Sequence, residues 1–496
     1  MIAKGELKER IKKNIARLSA KEYTAPCLFA EGGSWPGDWQ GRTILALASL
    51  VSVAEEGEEK NAVKNQLDAI ISLLPSYTNG HGYFGEILNR DYVNEQQVSG
   101  NSWFLRGLCS YFELTGDPSV FTRIRSIEQN YLLALEGLYR RYPLSARGAG
   151  GGVSGHVQLA CNGWQLSTDV GCAFIMLDGI SHVYLITENS RLLDVADEMT
   201  EILATLDVVA LKCQTHAVLS ASRGLLRLHA TTGNARYFQC AKRLVDCYLA
   251  CGMTLNYANF NWFGCAPTWT EPCAVLDSVG VFQRLYSLTG EDFYLELVNR
   301  IYKNAVRPAQ RPNGGAGCET CLCKENPVLK MHLYEAFFCC SMRMGEGLKF
   351  LCDGLVLEEK KSYIVAMPLS FHYRGECAEF SCNVVEDLKG AEYTIEVTRG
   401  ENFSLSVYLP LSATVACERA FRREGRRIFF DGVSAGDKIN FCFAYLETVE
   451  ERQGIFAHMK GDYLLLKRAP EAPYESAVFN SIEEDSESVA KACLYL

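Results

Sequence analysis

Glu113-Leu114-Thr115-Gly116-Asp117 is the stretch on which the fold turns. An apolar run at helical spacing, Ser102 to Glu113, leads into it. Gly after such a run stops a helix, and Asp then caps the start of another. The same punctuation returns at Leu185-Ile186-Thr187-Glu188-Asn189, at Ala230-Thr231-Thr232-Gly233-Asn234 and at Ser287-Leu288-Thr289-Gly290-Glu291. Each follows an apolar helical stretch: Ala173 to Ile186, Ala217 to Ala230 and Val275 to Leu288. Gly41 to Ala54 has the same spacing. Residues 5–350 therefore read mostly as helix, in hairpins that recur irregularly, roughly every 45 to 70 residues. About six fit, and they make either an open solenoid or a closed α/α toroid.

The pattern changes near residue 350. Ser362 to Pro368, Tyr393 to Thr398, Phe403 to Leu409, Arg427 to Phe430, Ile439 to Tyr445 and Asp462 to Leu466 are short β-branched or aromatic runs. Turn signals such as Arg399-Gly400-Glu401-Asn402 and Asp431-Gly432 separate them. This predicts a C-terminal antiparallel β-sandwich. The expected division is a helical domain over 1–350 and a sandwich domain over 351–496. No Pro- or Ser-rich linker lies between them, so a shared interface is expected.

Composition excludes several classes. The 496 residues are 48% hydrophobic and 22% charged, with a formal charge of −10. A net acidic chain without a Lys/Arg block lacks the footprint for nucleic acid. Met1 to Lys21 lacks an apolar run of signal-peptide length, and no run approaches a membrane span. The 21 cysteines are scattered among apolar neighbours, as at Cys172, Cys240, Cys247 and Cys251. That usage predicts reduced thiols and a cytoplasmic location. Ser481 to Ser488 is acidic and expected to be exposed.

Two segments carry metal-ligand chemistry. Trp269-Thr270-Glu271-Pro272-Cys273 holds a carboxylate and a thiol two residues apart; Phe337-Phe338-Cys339-Cys340-Ser341-Met342-Arg343 holds two adjacent thiols. One oxygen and three sulfurs suit zinc. Free cysteine is also a common small buried hydrophobe, so a metal-free core is the alternative. Loops rich in Gly and aromatics, Gly32 to Gly41, Asn79 to Asn101, Arg147 to Trp164 and Tyr257 to Trp269, suit sugar binding. Candidate sugar contacts are His81, His156, His216, Trp103 and Trp269, each with ordinary core packing as its other reading. A second thiol cluster, Gly317-Cys318-Glu319-Thr320-Cys321-Leu322-Cys323, has only one Cys-x-x-Cys knuckle. A single metal site, with this loop lining the pocket, is therefore expected.

The order of hairpins, Glu-x-Cys, Asn299-Arg300-Ile301-Tyr302-Lys303-Asn304, Cys-Cys and β-sandwich resembles the β-L-arabinofuranosidase-like proteins of glycoside hydrolase family 127. The resemblance runs from about Trp35 to Tyr463 and includes Gln214-Thr215-His216-Ala217 through Gly224-Leu225-Leu226-Arg227-Leu228. It implies an (α/α)6 barrel followed by a β-sandwich, a carbohydrate substrate, and zinc held by Glu271, Cys273, Cys339 and Cys340. It also implies that one thiolate of the adjacent pair, taken as Cys339, is the nucleophile of a retaining glycosidase. A zinc-bound thiol is ionised, which makes that role chemically sound.

Three departures stand out. The family's general acid is a Glu shortly before the ligand Glu, but Leu255 to Thr270 contains no acidic residue. Ser341 and Met342 replace the prolines that usually follow the Cys pair, and the Cys318 loop is extra. Substitute acids are Glu319 and Glu95, with Glu86 and Asp91 on the same loop as Glu95. The other readings are a non-catalytic carbohydrate-binding protein with structural zinc, and a lyase or epimerase on the same toroid. A homodimer is one possible assembly.

Overall fold

The computed structural model describes residues 1–30, 34–144, 157–331, 334–467 and 491–493; His156 and 481–488 lie outside them. Twelve helices of ten or more residues occur among the described residues. They are α1 Gly5–Leu18, α2 Asp38–Val53, α3 Glu58–Tyr77, α4 Glu95–Thr115, α5 Pro118–Ile127, α6 Met176–Thr187, α7 Arg191–Thr205, α8 Thr215–Thr232, α9 Ala235–Cys247, α10 Pro272–Thr289, α11 Asp292–Ile301 and α12 Cys340–Asp353.

The even-numbered helices from α2 to α10, together with α12, form a ring in which each touches the next and α12 returns to α2. Outer helices α3, α5, α7, α9 and α11 each back the inner helix before them, and α1 backs α12. The toroid is therefore closed, and its sixth pair joins the two ends of the helical region. The inner helices are buried almost all round: in α8 every residue from Thr215 to Leu226 is enclosed. Small residues let them approach. A Cβ on Gly41 of α2 would lie 2.2 Å from the Phe104 backbone of α4, and one on Gly224 of α8 would meet Leu177 of α6 at 2.4 Å.

The turn chemistry follows the sequence expectation. Gly116, Gly233 and Gly290 end α4, α8 and α10 at φ 68°, 72° and 69°, in the left-handed region that glycine occupies without strain. Asp117 Oδ1 accepts from the Ser119 N–H at 2.8 Å, and Asn234 Oδ1 from Arg236 N–H at 3.1 Å. Glu188 ends α6 in the same conformation, φ 52°, without being glycine. The region is not wholly helical. Val93–Asn94 pairs in parallel with Trp164–Gln165, and Val157–Cys161 pairs antiparallel with the same segment.

From Val356 the chain is strand-rich. One six-stranded sheet runs Ile2–Ala3, Phe371–Arg374, Glu379–Asp387, Gly390–Arg399, Lys438–Tyr445, Ala413–Cys417. A five-stranded sheet runs Arg422–Glu424, Arg427–Val433, Phe403–Tyr408, Ser362–Val365, Val356–Glu359. All pairings in both are antiparallel except Phe403–Tyr408 with Ser362–Val365. Alternation is clear in Gly390–Arg399, which buries Ala391, Tyr393, Ile395 and Val397. Tyr393 stacks on Phe441 of the neighbouring strand with centroids 4.6 Å apart. The N-terminal residues Ile2–Ala3 join this sheet as an edge strand, so the strand-rich region is tied to the helical ring at both ends of the ring's sequence.

The segment Asn299–Asn304 is the joint between barrel and strands. Asn299 donates to Ala366 O at 2.8 Å, and Lys303, fully buried, meets Glu386 at 2.8 Å. Asn304 donates to Asp462 O and accepts from the Leu464 N–H, both at 2.8 Å. Arg300 grips Glu450 through two nitrogens at 2.7 Å. Buried, bidentate and backbone-directed bonds of this kind hold a fixed relative geometry.

Candidate active site and metal centre

A cavity of about 350 Å³ opens where the inner helices begin. Its lining includes Asp38 and Arg42 of α2, Ser99 of α4, His216 of α8, and the N-caps Ile175, Glu271 and Cys339 of α6, α10 and α12. The six helix N-termini, with their unpaired N–H groups and positive dipole ends, thus face one volume. Such a place favours anions, and thiolates among them. Trp35, Trp39, Phe337 and Phe338 form an aromatic wall, while Asp169 and Gln214 join the polar side. Phe337 and Phe338 are 39% and 51% exposed, so the wall is open to a ligand.

Glu271, Cys273, Cys339 and Cys340 come together at this floor, their ligand atoms all within 4.8 Å of one another. Both pairs straddle a helix start. Glu271 is the N-cap of α10, Pro272 its first residue and Cys273 its second; Cys339 is the N-cap of α12 and Cys340 its first residue. Proline at the first helical position fits because that N–H is unpaired anyway. The sulfurs of Cys273 and Cys340 are 3.2 Å apart, those of Cys339 and Cys340 3.4 Å. Burial pushes the Glu271 carboxyl up to about 8 and the Cys273 and Cys340 thiols well above their usual range. Four ionisable donors so packed repel one another when charged, and a divalent cation reverses that balance. One oxygen and three sulfurs within tetrahedral reach fit zinc. Among the described residues this is the one cluster of its kind.

The two cysteines of the pair differ. Cys339 is partly exposed and lines the cavity, while Cys340 is buried beneath it. Ser341 anchors the turn: its hydroxyl donates to Glu335 Oε1 at 2.8 Å and accepts from Ala316 N–H at 2.9 Å. Its own N–H donates to Ala336 O at 3.2 Å, a bond that proline could not make.

Beneath the cluster lies a buried charge network. Arg42 is pinned by Asp38 at 2.7 Å, reaches Cys273 Sγ at 3.7 Å, and donates to His216 Nε2 at 3.2 Å. His216 therefore carries its proton on Nδ1 and donates it to Asp277 Oδ2 at 2.6 Å. Asp277 also accepts from Ser220 at 2.9 Å, Arg223 at 2.7 Å and Arg343. Arg106, Arg223 and Arg227 continue the network through Asp178, and Glu346 joins Arg106, Arg223 and Arg343.

The sequence candidates divide accordingly. The four ligand candidates assemble. His216 lines the cavity, but both its nitrogens are engaged with protein partners. Trp103 is fully buried, stacked on His216 at 5.4 Å and flanked by Arg42 at 4.2 Å and Arg343 at 4.5 Å, so it supports the site from below and offers no sugar platform. Trp269 packs edge-on against Trp262 and Tyr334 and is not part of the lining, nor is His81, which sits beside Tyr83.

Glu95 is enclosed, accepting from the Tyr142 hydroxyl and the Ser167 N–H. Glu319 is buried away from the cavity, accepting from Asn256 at 3.3 Å, with burial holding it up at about 8. Neither reaches the cavity. The Cys318 loop does not line the pocket either; it passes behind the cluster, with Cys318 in contact with Cys340. All twenty cysteines with described side chains are free. Asp38, Arg42, Ser99 and Asp169 are among the cavity residues that no motif singled out. They meet only because the ring closes.

Burial holds the His216 and His182 imidazoles down at about 4, against an ordinary 6.5. Between these values the unfolded chain binds more protons than the folded one. Stability is then full above pH 6.5 and is lost as pH falls toward 4. The expected outcome is an unfolding temperature that drops across this window, measured by calorimetry.

A closed α/α toroid with a β-sandwich and a carboxylate–thiol cluster at the inner helix starts defines the class of protein. Residues 151–261 match the family model described as the β-L-arabinofuranosidase, GH127 catalytic domain. No curated protein matches the sequence. Among solved structures, a GH127 β-arabinofuranosidase is 11% identical, covers 93% of this chain and 80% of its own, and superposes with a TM-score of 0.63. A GH127 β-L-arabinofuranosidase from Geobacillus stearothermophilus is 12% identical, with 93% and 80% covered and a TM-score of 0.60. A protein titled glycoside hydrolase is 12% identical, with 94% and 81% covered and a TM-score of 0.65. At such identities the structures carry the fold. With the family-model match they bear out the resemblance to glycoside hydrolase family 127, at the distance of a divergent member. Among the described residues, no helix is long and apolar enough to cross a membrane.

Proposed function

We propose that the protein is a retaining glycoside hydrolase that attacks the anomeric carbon of a small glycoside with the Cys339 thiolate. The observation that carries this reading is the split within the Cys pair: Cys339 lines the cavity while Cys340 lies buried below it. Zinc held by Glu271, Cys273, Cys339 and Cys340 would keep the thiol ionised at neutral pH. The helix starts around the cavity favour the same charge. Asp38, Asp169 and Gln214 offer hydrogen bonds to sugar hydroxyls, and the aromatic wall offers a face for the ring or the leaving group. The sulfur displaces the leaving group, and water then releases the sugar, so that two inversions leave the configuration retained. An aryl β-L-arabinofuranoside is the first substrate to try, followed by other aryl furanosides and pyranosides.

The test begins with the metal. Protein purified under reducing conditions without added metal should carry about one zinc per chain, because one four-ligand set is present. Cys273→Ser should lose it and lower the unfolding temperature, since three ligands would be left without their fourth. Elemental analysis reads the first and calorimetry the second. Metal-free wild type with unchanged stability would contradict the proposal.

A further inference from the structure

The proposed reading gathers three thiolates and a carboxylate around one divalent ion, and together they outweigh it by two negative charges. Such an excess is costly away from water unless a cation offsets it. We infer that Arg42 is a positioning residue of this centre: its guanidinium donates a hydrogen bond to the Cys273 thiolate, offsets the excess charge and fixes the direction of that sulfur. The inference rests on the metal part of the proposed reading and not on the glycosidase part.

Each nitrogen of the guanidinium has its own partner. Nε donates to Asp38 Oδ1 at 2.7 Å, Nη1 to Cys273 Sγ at 3.7 Å and Nη2 to His216 Nε2 at 3.2 Å. The longest of the three is the bond to sulfur, whose radius exceeds that of oxygen or nitrogen. The central carbon sits over the Trp103 ring, 4.2 Å from its centroid, and both side chains are buried. The three partners belong to α2, α8 and α10, so the guanidinium cannot shift without breaking a bond. His216 accepts from Arg42 because its other nitrogen is bonded to Asp277 at 2.6 Å. A run of buried bonds thus leads from the charge network through His216 and Arg42 to a ligand sulfur. Arg343 is a second cation beneath the cluster, but it is bonded to Asp277 and Glu346. Lysine would bring the charge without the planar fork, on a single nitrogen. Outer partners of this kind orient metal ligands and set metal affinity.

The test loads wild type, Arg42→Gln, Arg42→Lys and Asp38→Asn with cobalt(II), whose bonds to thiolate absorb in the near ultraviolet. Zinc affinity of each is measured by competition with a chelator. Arg42→Gln should bind zinc about 10- to 100-fold more weakly, the usual effect of removing such a partner. Its thiolate-to-cobalt band should move to longer wavelength, because a sulfur without its N–H donor gives up charge more easily. A role in packing alone would lower the affinity and leave the band in place. Arg42→Lys should recover part of the affinity, since the charge is kept, without returning the band to the wild-type position. Asp38→Asn keeps the guanidinium but frees one side of it, and should move the band less, in the same direction. This variant decides the matter if Arg42→Gln does not fold. Zinc affinity of Arg42→Gln within threefold of wild type overturns the assignment. So does an unmoved band in Arg42→Gln, or in Asp38→Asn where the former does not fold. Wild type that takes up neither zinc nor cobalt overturns the metal reading, and the role of Arg42 with it; wild type with thiolate bands that Arg42→Gln reproduces overturns the role of Arg42 alone.

Discussion

Cys339→Ser is expected to abolish turnover of any glycoside that the wild type cleaves, by about a thousandfold or more, as loss of a nucleophile does. A serine hydroxyl at this position stays protonated where a metal-bound thiol does not, and it is a far weaker attacker. The change is small in volume, and Cys339 is the least enclosed of the three thiols in the cluster. Glu271, Cys273 and Cys340 remain as ligands, so part of the zinc should remain bound. Cys340→Ser should behave differently, costing metal and stability first, because its sulfur lies under the cavity floor against Cys273 at 3.2 Å. Full turnover by Cys339→Ser would make the thiol a ligand only.

Asp277→Ala should cost about 3–5 kcal/mol of stability, the usual penalty for removing one member of a buried ionic cluster. Asp277 is fully buried and takes hydrogen bonds from His216, Ser220, Arg223 and Arg343. Neighbouring cations hold its carboxyl well below the ordinary range against the opposing effect of burial. Without it, Arg223 and Arg343 share Glu346 and Asp178, and His216 loses the acceptor that fixes its proton on Nδ1. Arg42 would then lose its His216 acceptor and be held by Asp38 alone, loosening the contact to Cys273. Urea unfolding of the variant should show the loss together with weaker metal retention. A change under about 1 kcal/mol would mean that the network is not what supports the cluster.

Five inner helices are legible in the sequence because their apolar residues run together, and four of the five end in Gly or Asn signals. The sixth pair is not. In α12 the buried side includes Arg343 and Glu346, which join the charge network, and Gly345 and Gly347, which pack against Ala46 of α2 and Leu276 of α10, and all four break the apolar pattern. In α1 the Lys and Glu residues of the outer face obscure the buried stripe Leu7, Ile11, Ile15 and Leu18. The metal cluster is legible because each ligand pair is compact in sequence at a helix start. Asp38 and Arg42 sit a turn apart on α2 while Asp169 precedes α6, two hairpins later, so spacing alone cannot join them to one site. Glu95 and Glu319 lie on polar, Gly-rich or thiol-rich stretches that suit a catalytic carboxylate, yet both fold inward, Glu95 onto Tyr142 and the Ser167 N–H and Glu319 onto Asn256. Trp103 has the aromatic face of a sugar platform, but two guanidinium groups and an imidazole cover that ring, so its other reading, core packing, holds.

The most direct test of the account is mass spectrometry of the zinc-loaded protein quenched in acid during turnover of 2,4-dinitrophenyl β-L-arabinofuranoside. The account predicts a mass increase of one glycosyl group, mapped by peptide sequencing to Cys339 and absent from Cys339→Ser. An adduct on Asp169 or Glu271, or hydrolysis with inverted configuration and no adduct, would contradict it.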